Sequence, residues 1–161
     1  MIPADSIHFA SRDNREKVEL GLEFAPKFDA SGLMTAVAVD HLSGEVMMVA
    51  HMNELALRKT LELGEAVYWS RSRHEIWHKG KTSGHIQKVR EILIDCDQDA
   101  LVLRVEQVGP GCCHTGFRSC FSRRLARAEE VPTAGSGEES HALPLIRTGE
   151  RAFDPDAVYG H

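Results

Sequence analysis

Between residues 95 and 120 the chain carries the side chains most capable of chemistry. Asp95-Cys96-Asp97-Gln98-Asp99 interleaves three carboxylates with a thiol, and Cys113-His114-Thr115-Gly116-Phe117-Arg118-Ser119-Cys120 follows it. Carboxylates suit hard cations such as magnesium, whereas thiolates suit zinc. One short region therefore offers ligands for two different metals, which points to metal-assisted chemistry more than to a packed core. If residues 95–99 are extended, alternation places Asp95, Asp97 and Asp99 on one face and Cys96 on the other. Three carboxylates on one face repel unless a cation or basic group neutralises them. A solvated acidic turn accounts equally well for the three aspartates taken alone. Asp95, Asp97, Asp99 and Glu106 also fall at positions 1, 3, 5 and 12 of a calcium-loop pattern, but position 6 is Ala100 instead of glycine and the flanks read as strands. That reading is rejected.

Most free cysteines are small buried hydrophobes, and a lone one here would be read so. Three near a histidine and an acidic cluster shift the balance. Their spacing is not the C-x2-C knuckle of structural zinc modules. Cys112 and Cys113 on an extended segment point apart, so they are not expected to bind one ion together. Three thiolates with one open position is the arrangement a catalytic zinc requires. His114 could be a fourth ligand, a surface residue or a proton-transfer group beside the metal, and the last is preferred.

A third constellation is Trp69-Ser70-Arg71-Ser72-Arg73 followed by Trp77-His78-Lys79-Gly80-Lys81-Thr82-Ser83-Gly84. Guanidinium forks, ammonium groups, hydroxyls and glycine-exposed amides are what a phosphate needs around it. Either stretch alone reads as a solvated basic hairpin. Together, in an acidic chain, they predict a pocket for an anionic small molecule.

The chain has 161 residues, 42% hydrophobic, and a formal charge of −5. That is one domain with an adequate core, and the charge argues against a general nucleic-acid binder. No apolar run approaches about 18 residues and the first residues lack the basic head and apolar middle of a secretory signal, so a cytoplasmic location is expected. Four cysteines in such a chain favour metal binding or catalysis over disulfides.

The elements that must position these groups read as an α+β domain, mostly antiparallel sheet with one main helix. Residues 1–30 form a polar N-terminal segment with a helical turn around Asn14–Leu20. Residues 31–127 form the core domain. Leu33–Val39 and Glu45–His51 read as a hairpin about Asp40-His41-Leu42-Ser43-Gly44. Asn53 caps a helix that runs to Leu63 and stops at Gly64. Ala66–Arg71, Glu75–His78, Ile86–Ile94 and Leu101–Val108 read as strands, the last two joined through the aspartates. Gly109-Pro110-Gly111 breaks the sheet before the cysteines. Residues 128–161 are expected to be a loosely packed or mobile tail, with Ala134–Ser140 linker-like.

These motifs, in this order and spacing, resemble the phosphoribosyl-AMP cyclohydrolase family of histidine biosynthesis, over about Leu33 to Arg123. The resemblance implies a homodimeric hydrolase that opens the adenine ring of phosphoribosyl-AMP between N1 and C6, its active site at the subunit interface. It implies zinc held by Cys96 of one subunit with Cys113 and Cys120 of the other, and magnesium held by Asp95, Asp97 and Asp99. A zinc-activated hydroxide would be the nucleophile, with His114 beside it moving protons. Arg71, Arg73, Lys79, Lys81, Thr82 and Ser83 would hold the substrate's phosphates. The sequence departs from the family pattern at His85, where asparagine is expected, and at Cys112, an added thiol that leaves the choice between Cys112 and Cys113 open; Cys113 is preferred because it begins the Cys-His-Thr-Gly match. Residues after 128 are too few for the helical pyrophosphohydrolase sometimes fused to this domain, so a single activity is expected. A purine deaminase is disfavoured, because its H-x-E and P-C-x-x-C signatures are missing. A zinc-stapled binding module without catalysis is the alternative reading.

Overall fold

The computed structural model describes residues 1–131 and 142–160. The linker-like stretch Ala134–Ser140 lies outside them. Among the described residues, eight strands and three α-helices follow one another as α1 (Arg15–Leu20), β1 (Met34–Asp40), β2 (Val46–Met52), α2 (Glu54–Leu63), β3 (Val67–Ser70), β4 (Glu75–His78), β5 (Gln87–Ile94), β6 (Ala100–Gln107), β7 (Arg123–Leu125), β8 (Leu145–Arg147) and α3 (Pro155–Tyr159). The fold is α+β. Among the described residues no helix is long and apolar enough to cross a membrane.

Six strands form one sheet in the order β4-β3-β2-β1-β6-β5. Every neighbouring pair is antiparallel except β1 and β6, which run parallel from Thr35↔Ala100 to Asp40↔Val105. The sheet is therefore mixed, since β6 arrives beside β1 only after α2 and four strands. It curls, and a bridge between Glu65 and Lys88 joins the approach to β3 with β5.

Strict alternation builds the core face. Met34, Ala36 and Ala38 of β1 and Leu101, Leu103 and Val105 of β6 are buried on one side. Helix α2 closes that face with Ala56, Leu57 and Thr60, spaced to share one helical stripe. Its ends follow local chemistry. The Asn53 side chain accepts from Ala56 N at 2.8 Å, and Gly64, at φ +68, turns the chain out of the helix. The buried Thr60 hydroxyl then receives the Val67 N–H and donates to the Val67 carbonyl, which fixes α2 on β3.

The β1–β2 turn anchors the cysteine loop. Asp40, 8% exposed, accepts from the Leu42 and Ser43 amides and the Ser43 hydroxyl, and its second oxygen accepts from Arg118 at 2.9 Å. The Ser43 amide foremost, then its hydroxyl, Leu42 and Arg118, hold the Asp40 carboxyl below the usual range against the opposing effect of burial. A carboxylate with a depressed folded-state pKa stabilises above its unfolded pKa and loses that contribution as the pH falls through the folded value. Asp40→Asn should therefore cost about 2 kcal/mol at neutral pH, and the gap to wild type should close below about pH 4. Urea denaturation across that range tests it, and a gap that persists at low pH would contradict it.

Candidate active site

The aspartates meet in a turn and not along a strand. Asp95 Oδ1 accepts from the Asp99 and Ala100 amides at 3.0 and 3.1 Å, and Gln98 turns through φ +62. Extended backbone cannot connect the antiparallel strands β5 and β6, so strand alternation is replaced by a tight turn. The turn still brings the carboxylates together: an oxygen from each of Asp95, Asp97 and Asp99 lies within 4.8 Å of the others. That set of hard oxygen donors fits magnesium.

Two residues that sequence reasoning missed hold this turn. The buried Gln98 side chain receives the Ala25 amide at 2.8 Å and donates to the Val18 and Glu23 carbonyls. It thereby ties the N-terminal segment to the turn. That segment brings Lys27, whose Nζ lies 3.1 Å from Asp97 and 3.3 Å from Asp99. Hydrogen bonds to these two carboxylates raise the Lys27 pKa, and the Lys27 bond in turn lowers that of Asp97. No local motif announces either residue.

The thiols of the second motif lie elsewhere. Cys112 is buried, its Sγ 3.3 Å from the Met47 carbonyl, and the Cys113 thiol is 3.0 Å from the Thr115 hydroxyl. Cys120 neighbours both thiols, yet the three sulfurs do not all come within 4.8 Å of one another. The loop is closed by the Cys112 amide donating to the Arg118 carbonyl and the Cys113 amide to the Phe117 carbonyl. The contact with Cys120 lowers the Cys112 pKa, with nearby Lys79 adding to the effect, while the same contact and burial raise that of Cys120. Thiolates are the soft donors that zinc takes, but among the described residues these thiols and His114 do not supply three ligand atoms within 4.8 Å of one another.

Cys112, Cys120 and His114 line a cleft of about 430 Å³, and Arg73, Lys79, Lys81, Thr82 and Ser83 line it with them. Five of the six residues expected to bind phosphate thus share one cavity with the thiols. The sixth, Arg71, borders an adjoining groove with His51, Trp69 and Ser72, and Trp77 borders both spaces. Lys79 is 4% exposed and donates to the Cys112 carbonyl at 2.9 Å. Burial lowers its pKa and the neighbouring thiols oppose that shift. His114 is exposed at the cleft.

Cys96 is not in this cleft. It stands at the aspartate turn, before β6, while the other thiols follow β6. Cys96 borders a separate groove with Leu22, Ile94, Asp95 and Gln98, and among the described residues no group of three metal-binding side chains within 4.8 Å combines it with Cys113 or Cys120.

The family model for phosphoribosyl-AMP cyclohydrolase matches residues 48–122, which span the helix, the basic loops, the aspartate turn and the cysteine loop. A phosphoribosyl-AMP cyclohydrolase of Rhodopseudomonas palustris (strain HaA2) is 52% identical over 145 residues, 90% of this chain and 92% of the relative. The chain belongs to the phosphoribosyl-AMP cyclohydrolase family. A second relative of that name, from Bradyrhizobium diazoefficiens, is 52% identical over 143 residues, 89% of this chain and 94% of its own. Membership makes the chain a hydrolase of a cyclic amidine C–N bond and sets aside the reading as a binding module without chemistry. The family model ends at residue 122, so the C-terminal segment lies beyond it.

Proposed function

We propose that the chain opens the N1–C6 bond of the adenine ring of phosphoribosyl-AMP by hydrolysis, giving phosphoribosyl-formimino-AICAR-phosphate, the third step of histidine biosynthesis. The observation that supports it most is the meeting of basic loop, thiols and His114 on one cleft in a member of this family. Zinc on Cys113, Cys120 and Cys96 of a second subunit would supply Lewis acidity and a nucleophilic water at neutral pH. Asp95, Asp97 and Asp99 would hold magnesium near the same interface.

The chain's own residues do the rest. Lys81, Thr82, Ser83 and Arg73 offer donors to one phosphate, and Arg71, beyond Trp77, to the other. Two anionic ends separated by a flat purine suit two basic patches divided by an aromatic ring. Lys79, buried beside the thiols, offsets their negative charge when they are ionised. His114, free to reach into the cleft, accepts and returns the protons that move as the ring C–N bond breaks. A homodimer in the cytoplasm follows from the same reading. It is supported by apolar side chains left exposed beside the aspartate turn: Leu20, Leu22, Leu93 and Ile94.

The direct test is incubation of metal-replete protein with phosphoribosyl-AMP while the ultraviolet absorbance of the purine is followed. No spectral change would overturn the assignment. A second measurement separates the metals. Asp97→Asn should weaken the magnesium dependence of turnover by about tenfold or more while zinc content stays near wild type. Equal loss of both metals would argue against separate sites.

A further inference from the structure

The described part of the C-terminal segment makes contacts that a loosely packed tail would lack. Strand β8 pairs with β7, and the Arg147 guanidinium lies 4.7 Å above the Phe117 ring. The Ala152 and Phe153 amides both donate to the Gly116 carbonyl, at 2.8 and 3.2 Å. Gly116 has φ +89, and a Cβ there would come 2.5 Å from the Phe153 carbonyl oxygen. The glycine of Cys-His-Thr-Gly is therefore needed where the tail crosses the cysteine loop.

The tail next reaches the basic loop. The Phe153 ring packs edge-on against His85 at 4.9 Å, with Tyr159 6.3 Å from the same imidazole. His85 is 8% exposed and its Nδ1 has no hydrogen-bond partner among the described residues, so aromatic packing is what the tail gains from it. Helix α3 then starts on the Asp154 cap with Pro155 in its first turn and ends at Gly160. It leaves Val158 and Tyr159 part-buried, lining the same cleft as Lys81, His114 and Cys120, with the Tyr159 hydroxyl toward Ser83. A segment that served only to cover the core would turn these side chains inward.

We propose that α3 is a wall of the substrate site, and that Tyr159 packs its ring on the sugar–base body of the bound nucleotide while its hydroxyl orients Ser83 toward a phosphate. This rests on the nucleotide substrate proposed above. It assigns a substrate contact to a segment beyond the part of the chain that the family model matches.

The test compares Tyr159→Ala and Tyr159→Phe in the full, metal-loaded chain, measuring kcat and KM for phosphoribosyl-AMP and the affinity for AMP by calorimetry. Loss of the ring should raise KM and the AMP Kd about tenfold, and loss of the hydroxyl alone about threefold, with kcat changed far less. Zinc content and melting temperature should stay at wild-type values in Tyr159→Phe. The proposal is overturned if KM and AMP affinity stay within about twofold of wild type in Tyr159→Ala. It is also overturned if kcat and zinc content fall together while KM holds, since that marks a purely structural helix. If wild-type protein does not turn over phosphoribosyl-AMP, the proposed reaction fails, and AMP calorimetry on the same variants still decides the role of Tyr159.

Discussion

Cys96→Ala protein and Cys120→Ala protein, each expected to be inactive alone, should regain roughly a quarter of wild-type activity when co-refolded in equal amounts. The expectation comes from placement. Cys96 stands at the aspartate turn and Cys120 in the cysteine loop, and among the described residues no group of three metal-binding side chains combines them, so under the proposed reading a zinc that uses both would lie between two chains. In a mixed dimer, one interface site combines the intact Cys96 of one chain with the intact Cys120 of the other. The second site lacks both. Half of the dimers are mixed and half of their sites are whole, which gives the quarter. Each variant alone should lose more than about a hundredfold, because even supporting residues around a metal cost 10- to 100-fold. Zinc measured in the mixed sample should recover in the same proportion. Failure to recover, with both variants folded, would place the metal within one chain, where Cys112, Cys113 and Cys120 are the thiols at hand. Full activity in Cys96→Ala would remove that residue from the site altogether.

What the sequence made legible here was chemistry carried by adjacent residues. The Asp40 to Gly44 turn, the Asn53 cap, the Gly64 stop and the strands around them depend on local rules, and the structure has each of them within a residue or two. The basic loop and the cysteine loop could be read for the same reason, and they do share a cleft. Pairing between distant segments was not legible. Alternation says that β1 and β6 each bury one face, but it does not say that they lie side by side and parallel. Gln98 carries no local signal between its flanking aspartates, although its side chain bonds to backbone 73 to 80 residues away. Lys27 is one lysine in a polar segment until that segment is pinned beside Asp97 and Asp99. The contacts of the described part of the tail were not legible for a related reason. Phe153, Val158 and Tyr159 are too sparse to form a periodic pattern, and they gain partners only because Gly116 and His85 are presented by the core.

The largest loss of stability from a single added methyl group is expected at Gly80, inside the basic loop. Gly80 has φ +80, and a Cβ built there falls 2.2 Å from the His85 carbonyl carbon, 2.3 Å from its oxygen and 2.3 Å from the Ile86 nitrogen. All three are backbone atoms, so no rotamer change relieves the overlap. Four residues on, Gly84 has nearly the same dihedral, φ +79, with nothing within 4 Å of its added Cβ. The two glycines therefore separate two effects. Gly84→Ala pays only for the left-handed conformation, about 1–2 kcal/mol. Gly80→Ala adds displacement of the His85–Ile86 backbone, and the total should exceed about 4 kcal/mol, the range that single substitutions reach only by such a mechanism. In a domain of this size that corresponds to a melting temperature lower by about 10 °C, against about 5 °C for Gly84→Ala. The chemistry should follow the backbone. Gly80 lies between Lys79 and Lys81 and its carbonyl receives the Gly84 amide at 2.8 Å, closing the loop that presents Thr82 and Ser83. Pushing His85 away opens that loop and also moves the imidazole on which Phe153 rests. Whatever folded Gly80→Ala remains at low temperature should show a raised KM with a smaller loss of zinc content, because the cysteine loop keeps its Asp40–Arg118 anchor even if the Lys79 bond to the Cys112 carbonyl is disturbed. Similar melting temperatures for the two variants would mean that the loop relaxes around the methyl group and that conformation, not contact, selects glycine at both positions.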